Sequence, residues 1–334
     1  MTFDGLSCSA AALEVPLPGS ATRITGWLCI EQPGAWGRDV IGDEVLGPEI
    51  TADLAARTKA AHVRPTLIRR PGRNEFTGVR TVLIASSRPQ GSWCERFEIT
   101  DLKELLDLDL HLLNGPAPGI GVRVDDPLIL VCAHGKRDQC CALLGRPIAA
   151  SLAERYPDRV WECSHTGGHR FAPAVIQLPS GLTYGRLEAD SALEMVAAAD
   201  LGEVSLTGLR GRSCYTPVEQ VAEVAVRQLI SDETYTADAV QPAAGDPAAT
   251  VRIDDLTVES TEIDSATAKN PATYAGAATV THRDGRRWLV TARTIAYAPR
   301  QASCGAGPKP ATAVVADRVR SADEDGLAPG DLNR

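Results

Sequence analysis

Two short stretches carry the residues most able to do chemistry. In VWECSHTGGHRFAP, residues 160–173, His165 and His169 stand four apart around Thr-Gly-Gly, in a chain with only six histidines. Just upstream, VCAHGKRDQCC, residues 131–141, holds Cys132 and, eight and nine residues later, Cys140 and Cys141. Thiolates and imidazoles are donors for zinc and for iron–sulfur clusters. Either stretch alone is a weak signal; together they are half-sites of one candidate centre.

The flanking patterns say how the halves could meet. PLILVCAH reads as a strand ending at Cys132, and Cys140 and Cys141 then open a helix, whose N-terminus favours thiolate over thiol. RVWECSH reads as a second strand, with both histidines just past its end. Gly167 and Gly168 allow close backbone approach to a bulky inorganic group. Finger-type zinc sites place their cysteines closer together, and their first histidine nearer, than this chain does. A [2Fe–2S] cluster with two histidines in place of two cysteines takes the same donors without that spacing rule.

The combined motif resembles the sucrase/ferredoxin-like family. It has a cysteine, a histidine two later, Arg137-Asp138, a second cysteine nine after the first, and then an HxxxH pair. The likeness is strong over Leu128–Leu187 and weak through LRGRS, Leu209–Ser213. It implies a thioredoxin-like ferredoxin domain whose [2Fe–2S] cluster is held by Cys132, Cys141, His165 and His169. Cys140, beside the second ligand, stands as the alternative, and His134 as a possible outer partner of the cluster. Nothing in the sequence supports the first word of the family name, since no carboxylate pair suited to glycoside hydrolysis is evident.

The rest of the chain must supply the scaffold. With 334 residues, 44% hydrophobic and 23% charged, the chain is long enough for two domains and ordinary in composition. Before the motif, RITGWLCI, VRPTLIRR and VRTVLIASS read as strands and ITADLAARTKAA as a helix. ITDLKELLDLDLHLL also reads as a helix, capped by Thr100 or Asp101. NGPAPGIGVRVDDP reads as a linker. After the motif, APAVIQLPSGLTYGRL is a hairpin and DSALEMVAAADLG a helix, capped by Asp190 or Ser191. Pro217 starts a long helix, DAVQPAAGDPAA is a linker, and the last strands turn at Asp284-Gly285.

The first two segments share their order of elements. Arg38-Asp39 lies on Arg137-Asp138, ITADLAAR on IAASLAER, and Cys29 on Cys132; LIRRPGR stands where the second copy has its histidines. The expected architecture is therefore α/β, with two tandem thioredoxin-like units, the first degenerate, then a helix and a small β-rich C-terminal region. The expected limits are 1–118, 119–205, 206–245 and 246–300, with 301–334 a loose tail.

Recurrence of Arg137-Asp138 in the ligand-poor copy suggests a structural ion pair. Arg210 and Arg212 read as a solvated loop, and Cys8, Cys29, Cys94, Cys214 and Cys304 as plain thiols, with Cys163 in the core. A formal charge of −9 and no long basic run exclude a nucleic-acid partner. No run of about 18 apolar residues suggests a membrane span, and the N-terminus does not read as a secretory signal. A cytoplasmic electron carrier that meets a redox partner protein is the expectation. Two other readings use the same residues: a structural zinc module, and a thiol–disulfide oxidoreductase. The latter lacks its usual C-x-x-C.

Overall fold

The computed structural model describes residues 7–41, 43–72, 75–237, 251–263 and 271–322. In the first half, strand β1 (Gly26–Glu31) leads through helix α1 (Pro48–Ala60) to β2 (Val63–Arg69). Strands β3 (Arg80–Ser86), β4 (Trp93–Ile99) and β5 (Val122–Arg123) follow. The second half repeats this with β6 (Leu128–Cys132), α2 (Gln139–Arg155) and β7 (Val160–Cys163). It continues with β8 (Ala174–Leu178), β9 (Leu182–Gly185), α3 (Ala189–Asp200) and β10 (Leu209–Arg212). Helix α4 (Pro217–Ala237) then crosses to a second sheet of β11 (Leu256–Thr261), β12 (Tyr274–His282), β13 (Arg287–Gln301) and β14 (Pro308–Ser321).

The first ten strands form one curled sheet in the order β10-β9-β8-β6-β7-β2-β1-β3-β4-β5. In each half the first strand pairs parallel with the second and antiparallel with the third. The halves join where β2 runs antiparallel to β7, Ile68 opposite Cys163. Even the registers agree: Cys29 faces Thr66 across β1–β2 as Cys132 faces Cys163 across β6–β7.

Both faces of the sheet are covered, which explains why LILVC and GWLCI read as near-continuous apolar runs rather than alternating ones. On the outer face α1 buries Ile50 and Leu54 against Leu28, Ile30 and Leu67. Helices α2 and α3 bury Leu152 and Met195 against Ile129 and Val131. The inner faces of the halves pack on each other, with Trp27, Cys29 and Leu83 meeting Leu130, Cys132 and Trp161. α4 is shared, giving Val224 to the second half's core and Ala222 and Val226 to the C-terminal sheet.

Four expectations are corrected. The stretch 99–113 is not one helix. β4 runs into it, and two short 3-10 turns follow, Leu102–Leu106 and Leu110–Asn114. Asp101 and Asp109 accept from the backbone N–H groups of Lys103 and His111. Each aspartate thus starts a new turn instead of letting one helix continue. The expected linker after Asn114 is tied down, because the buried Glu95 carboxylate accepts N–H bonds from Gly119, Ile120 and Gly121. Helix α3 starts after Glu188, with Ser191 serving as its capping-box partner.

The expected tail contains β14, paired with β13 from Trp288–Ser321 to Gln301–Pro308. Its alternation of small and β-branched residues suits an antiparallel strand with one exposed face. The linker DAVQPAAGDPAA lies outside the described residues. Among those described, no helix is long and apolar enough to cross a membrane.

Gly145 sets the distance between α2 and β6. A Cβ added there would lie 2.1 Å from the Cys132 carbonyl oxygen. Gly145→Ala must therefore push helix and strand apart, although alanine gains about 1 kcal/mol of helix propensity. We expect a net loss of roughly 1–3 kcal/mol in urea unfolding, the usual cost of overpacking. Equal or greater stability in the variant would refute the close crossing.

Candidate metal centre

The parallel pairing of β6 and β7 brings the two halves of the motif together. Cys132 ends β6 opposite Cys163, so the residues after each strand leave side by side. The Ala133 N–H donates to the Cys163 carbonyl, and the His165 N–H to His134 Nδ1 at 3.1 Å. Helix α2 begins after Asp138, whose carboxylate accepts from the Cys140 N–H.

Neighbouring residues on a helix point about 100° apart, and the adjacent cysteines part accordingly. Cys141 turns into the core between the halves, where the donor atoms of Cys132, Cys141 and His165 all lie within 4.8 Å of one another. Cys140 turns the other way and contacts Cys8 and Cys304.

Cys132 and Cys141 form a coupled pair. The Cys141 thiol, opposed by burial and helped by His165 and the His134 N–H, holds Cys132 well below the usual thiol range. The Cys132 sulfur and burial in turn push Cys141 up. Between the two buried sulfurs, ionisation is thus favoured at Cys132 over Cys141, and the thiolate is the form that binds a metal.

His169 opens a 3-10 turn after Gly168, and its ring stands 5.0 Å from that of His165, tilted by 35°. Its Nε2 donates to the Ala302 carbonyl and lies 3.7 Å from Asp138 Oδ2. Burial holds its pKa below the ordinary value, which favours the neutral ring. The Nδ1 atoms of both His165 and His169 are buried without a hydrogen-bond partner among the described residues. Two orphaned imidazole nitrogens are unusual in a folded core, but only His165 belongs to the group around the Cys132 and Cys141 sulfurs; His169 reaches it through the His165 ring. This donor set fits a metal group of mixed sulfur and nitrogen ligation.

The frame around these donors is rigid. His134 is buried, accepts from His165 at Nδ1 and donates from Nε2 to the Gly37 carbonyl. Both its nitrogens are therefore engaged. Arg64 holds the His165 carbonyl at 2.8 Å.

Arg210 is fully buried, against the expectation of a solvated loop. It lies on strand β10 and donates to Ser20 Oγ and to the Gly167 carbonyl. Arg212 is buried as well, on the Arg88 carbonyl beside Glu223. These arginines brace the scaffold and offer no surface anion site. Asp138 likewise commits its carboxylate to Cys140, Ser303 and Cys304 and not to Arg137.

Sequence reasoning missed two partners of this region, Cys8 and Cys304, which were expected to be plain thiols. Both meet Cys140 and Asp138, forming a second group of four donors. No spacing could have found them, because they sit 132 and 164 residues from Cys140. Cys29, Cys94 and Cys163 are buried in the inner core. Burial raises Cys94 to about 12.

A family model described as sucrase/ferredoxin-like matches residues 17–211, more than half of the chain. No curated protein matches the chain, and no solved structure does.

Gly168 has a left-handed φ of 78°, and a Cβ there would meet Arg210 Nη2 at 2.3 Å. We expect Gly168→Ala to raise amide hydrogen exchange across residues 165–171 while leaving α3 unchanged. Unaltered exchange in the loop would show that Arg210 and this backbone turn do not set its conformation.

Proposed function

The chain belongs to the sucrase/ferredoxin-like family, and from that premise we propose that it is an electron carrier built around a [2Fe–2S] cluster. The ligands in this reading are Cys132, Cys141, His165 and His169. The observation that carries it is the buried group of Cys132, Cys141 and His165, with the His169 ring 5.0 Å from that of His165 and the Nδ1 atoms of both histidines lacking a hydrogen-bond partner among the described residues. A cluster held in this way stores and passes one electron, at a potential raised by its nitrogen ligands.

The surrounding residues keep the donors ready and exclude water. His134 and Arg64 grip the backbone of His165 from both sides. Arg210 fixes the glycine loop between the histidines. The Ala302 carbonyl accepts a hydrogen bond from the Nε2–H of His169, which leaves Nδ1 as the unprotonated nitrogen. Such outer contacts orient ligands and tune a metal group. The strand order of each half supports reading both as thioredoxin-like units, the first having lost its ligands.

An open pocket lined by Arg38, Arg64 and Arg137 adjoins His165. This supports a redox partner protein that presents an acidic face there, even though the chain as a whole is acidic. We propose the cytoplasm as the compartment, because nine cysteines need reducing surroundings to remain thiols.

Purified protein should be coloured and contain about two irons and two sulfides per chain. Reduced protein should give an electron paramagnetic resonance signal with a low average g value. His169→Cys should shift that signal towards all-cysteine clusters, and Cys141→Ser should bleach the colour. A colourless protein holding a single zinc that both variants lose would replace this reading with a structural zinc module.

A further inference from the structure

We propose a second metal site, separate from the cluster, in which Cys8, Cys140, Cys304 and Asp138 bind one zinc ion. The site goes beyond the electron-transfer reading and does not depend on it.

The geometry comes first. The sulfurs of Cys8 and Cys140 are 3.5 Å apart, those of Cys140 and Cys304 3.2 Å, and those of Cys304 and Cys8 3.7 Å. Asp138 lies 3.5 Å from the Cys8 sulfur through Oδ1 and 3.6 Å through Oδ2. In a tetrahedron with Zn–S bonds of about 2.3 Å and a Zn–O bond of about 2.0 Å, sulfurs lie about 3.8 Å apart and sulfur and oxygen about 3.5 Å. The three thiols and the carboxylate already stand close to these edge lengths. Three sulfurs with one oxygen in a four-donor set suit zinc better than the hard cations magnesium or calcium.

The helix start and a hydroxyl face the Cys140 sulfur, whereas burial pushes the Cys8 and Cys304 thiols up, so that the metal itself must draw off their protons. Cys140 sits in the first turn of α2, where the helix N-terminus attracts anions. The Ser9 hydroxyl donates to its sulfur at 3.2 Å. The Nε of Arg170, next to the His169 ligand position, is buried without a hydrogen-bond partner among the described residues. Zinc binding would release the thiol protons and involves no change of oxidation state.

The site would also reinforce a junction that Asp138 and Arg300 already begin by holding the C-terminal loop to α2 and to the N-terminal segment. Cys8 comes from the N-terminal segment, Cys140 from α2 and Cys304 from the loop between β13 and β14. The apolar cluster joining the three segments is small, consisting of Cys8, Cys140, Ala172 and Cys304. The loop it holds carries Ala302, whose carbonyl orients His169. A zinc here would staple both remote segments of the chain over the cluster ligands.

The test is metal analysis of the full chain purified without chelator, with Cys8→Ser and Cys304→Ser variants checked for folding by circular dichroism. We expect about one zinc per chain, lost from both variants, while iron, sulfide and visible absorption stay within about a fifth of the parent. Replacing zinc by cobalt should add thiolate-to-cobalt charge-transfer absorption in the parent and not in the variants. A parent without zinc overturns the proposal, as does a Cys140–Cys304 or Cys8–Cys140 disulfide found by mass spectrometry. Zinc retained in both variants overturns it too. Loss of iron together with zinc would assign these thiols to the cluster and also overturn it. If a variant fails to fold, cobalt absorption in the parent decides alone. An iron-free parent that loses its zinc on Cys8→Ser would sink the cluster reading and leave this one standing.

Discussion

One buried carboxylate holds the functional end of this protein together. Asp138 caps α2 through the Cys140 N–H and accepts from Ser303 Oγ and the Cys304 N–H, each at 2.9 Å. Cys8 lies against it, and His169 stands 3.7 Å away. Although burial opposes ionisation, these donors, led by the Cys304 N–H, hold the carboxyl at about 2. A buried charge is tolerated only when its lone pairs are matched, and here the matching groups come from three distant parts of the chain. The helix start, the C-terminal loop and the N-terminal segment are gathered around one residue.

Strand length and helix start explain why only the second half brings a cysteine–histidine donor group together. Cys29 occupies in β1 the register position that Cys132 occupies in β6. Helix α1, however, starts only at Pro48. The residues after Arg38-Asp39 therefore do not build the helical turn that presents Cys140 and Cys141 in the second half. Strand β2 also runs on to Arg69, keeping Ile68 in the inner core, whereas β7 stops at Cys163 and releases His165. A longer strand and a later helix suffice to turn a ligand frame into a plain core. The first half still contributes, because Arg64 and Gly37 hold His165 and His134 in place.

Local patterns foretold most elements. The apolar runs of β1, β2, β6 and β7 and the spacing of Ile50 and Leu54 in α1 depend on burial that any covered sheet provides. Where prediction failed, local side chains competed with periodicity, as Asp101 and Asp109 did by starting short turns. Strand β14 read as a loose tail because its partner, β13, is what orders it. Arg210 and Arg212 read as solvated because charge normally seeks water, and acceptors remote in the chain, the Ser20 hydroxyl, the Gly167 and Arg88 carbonyls and the Glu223 carboxylate, make their burial tolerable.

The sequence by itself determined the donor types and the motif: Cys132, the Cys140-Cys141 pair, His165 and His169 are recognisable from residue identity and short spacing. It also determined that two similar α/β segments precede a β-rich end. Tertiary structure alone decided which of Cys140 and Cys141 faces Cys132, since a helix turns neighbours apart and only the packing of α2 on β6 sets the phase. It alone decided that Cys8 and Cys304 belong beside Cys140. Sequence spacing carries information along a helix, a turn or a loop, whereas contacts between residues 8, 140 and 304 arise from the closure of sheets and loops far apart in the chain.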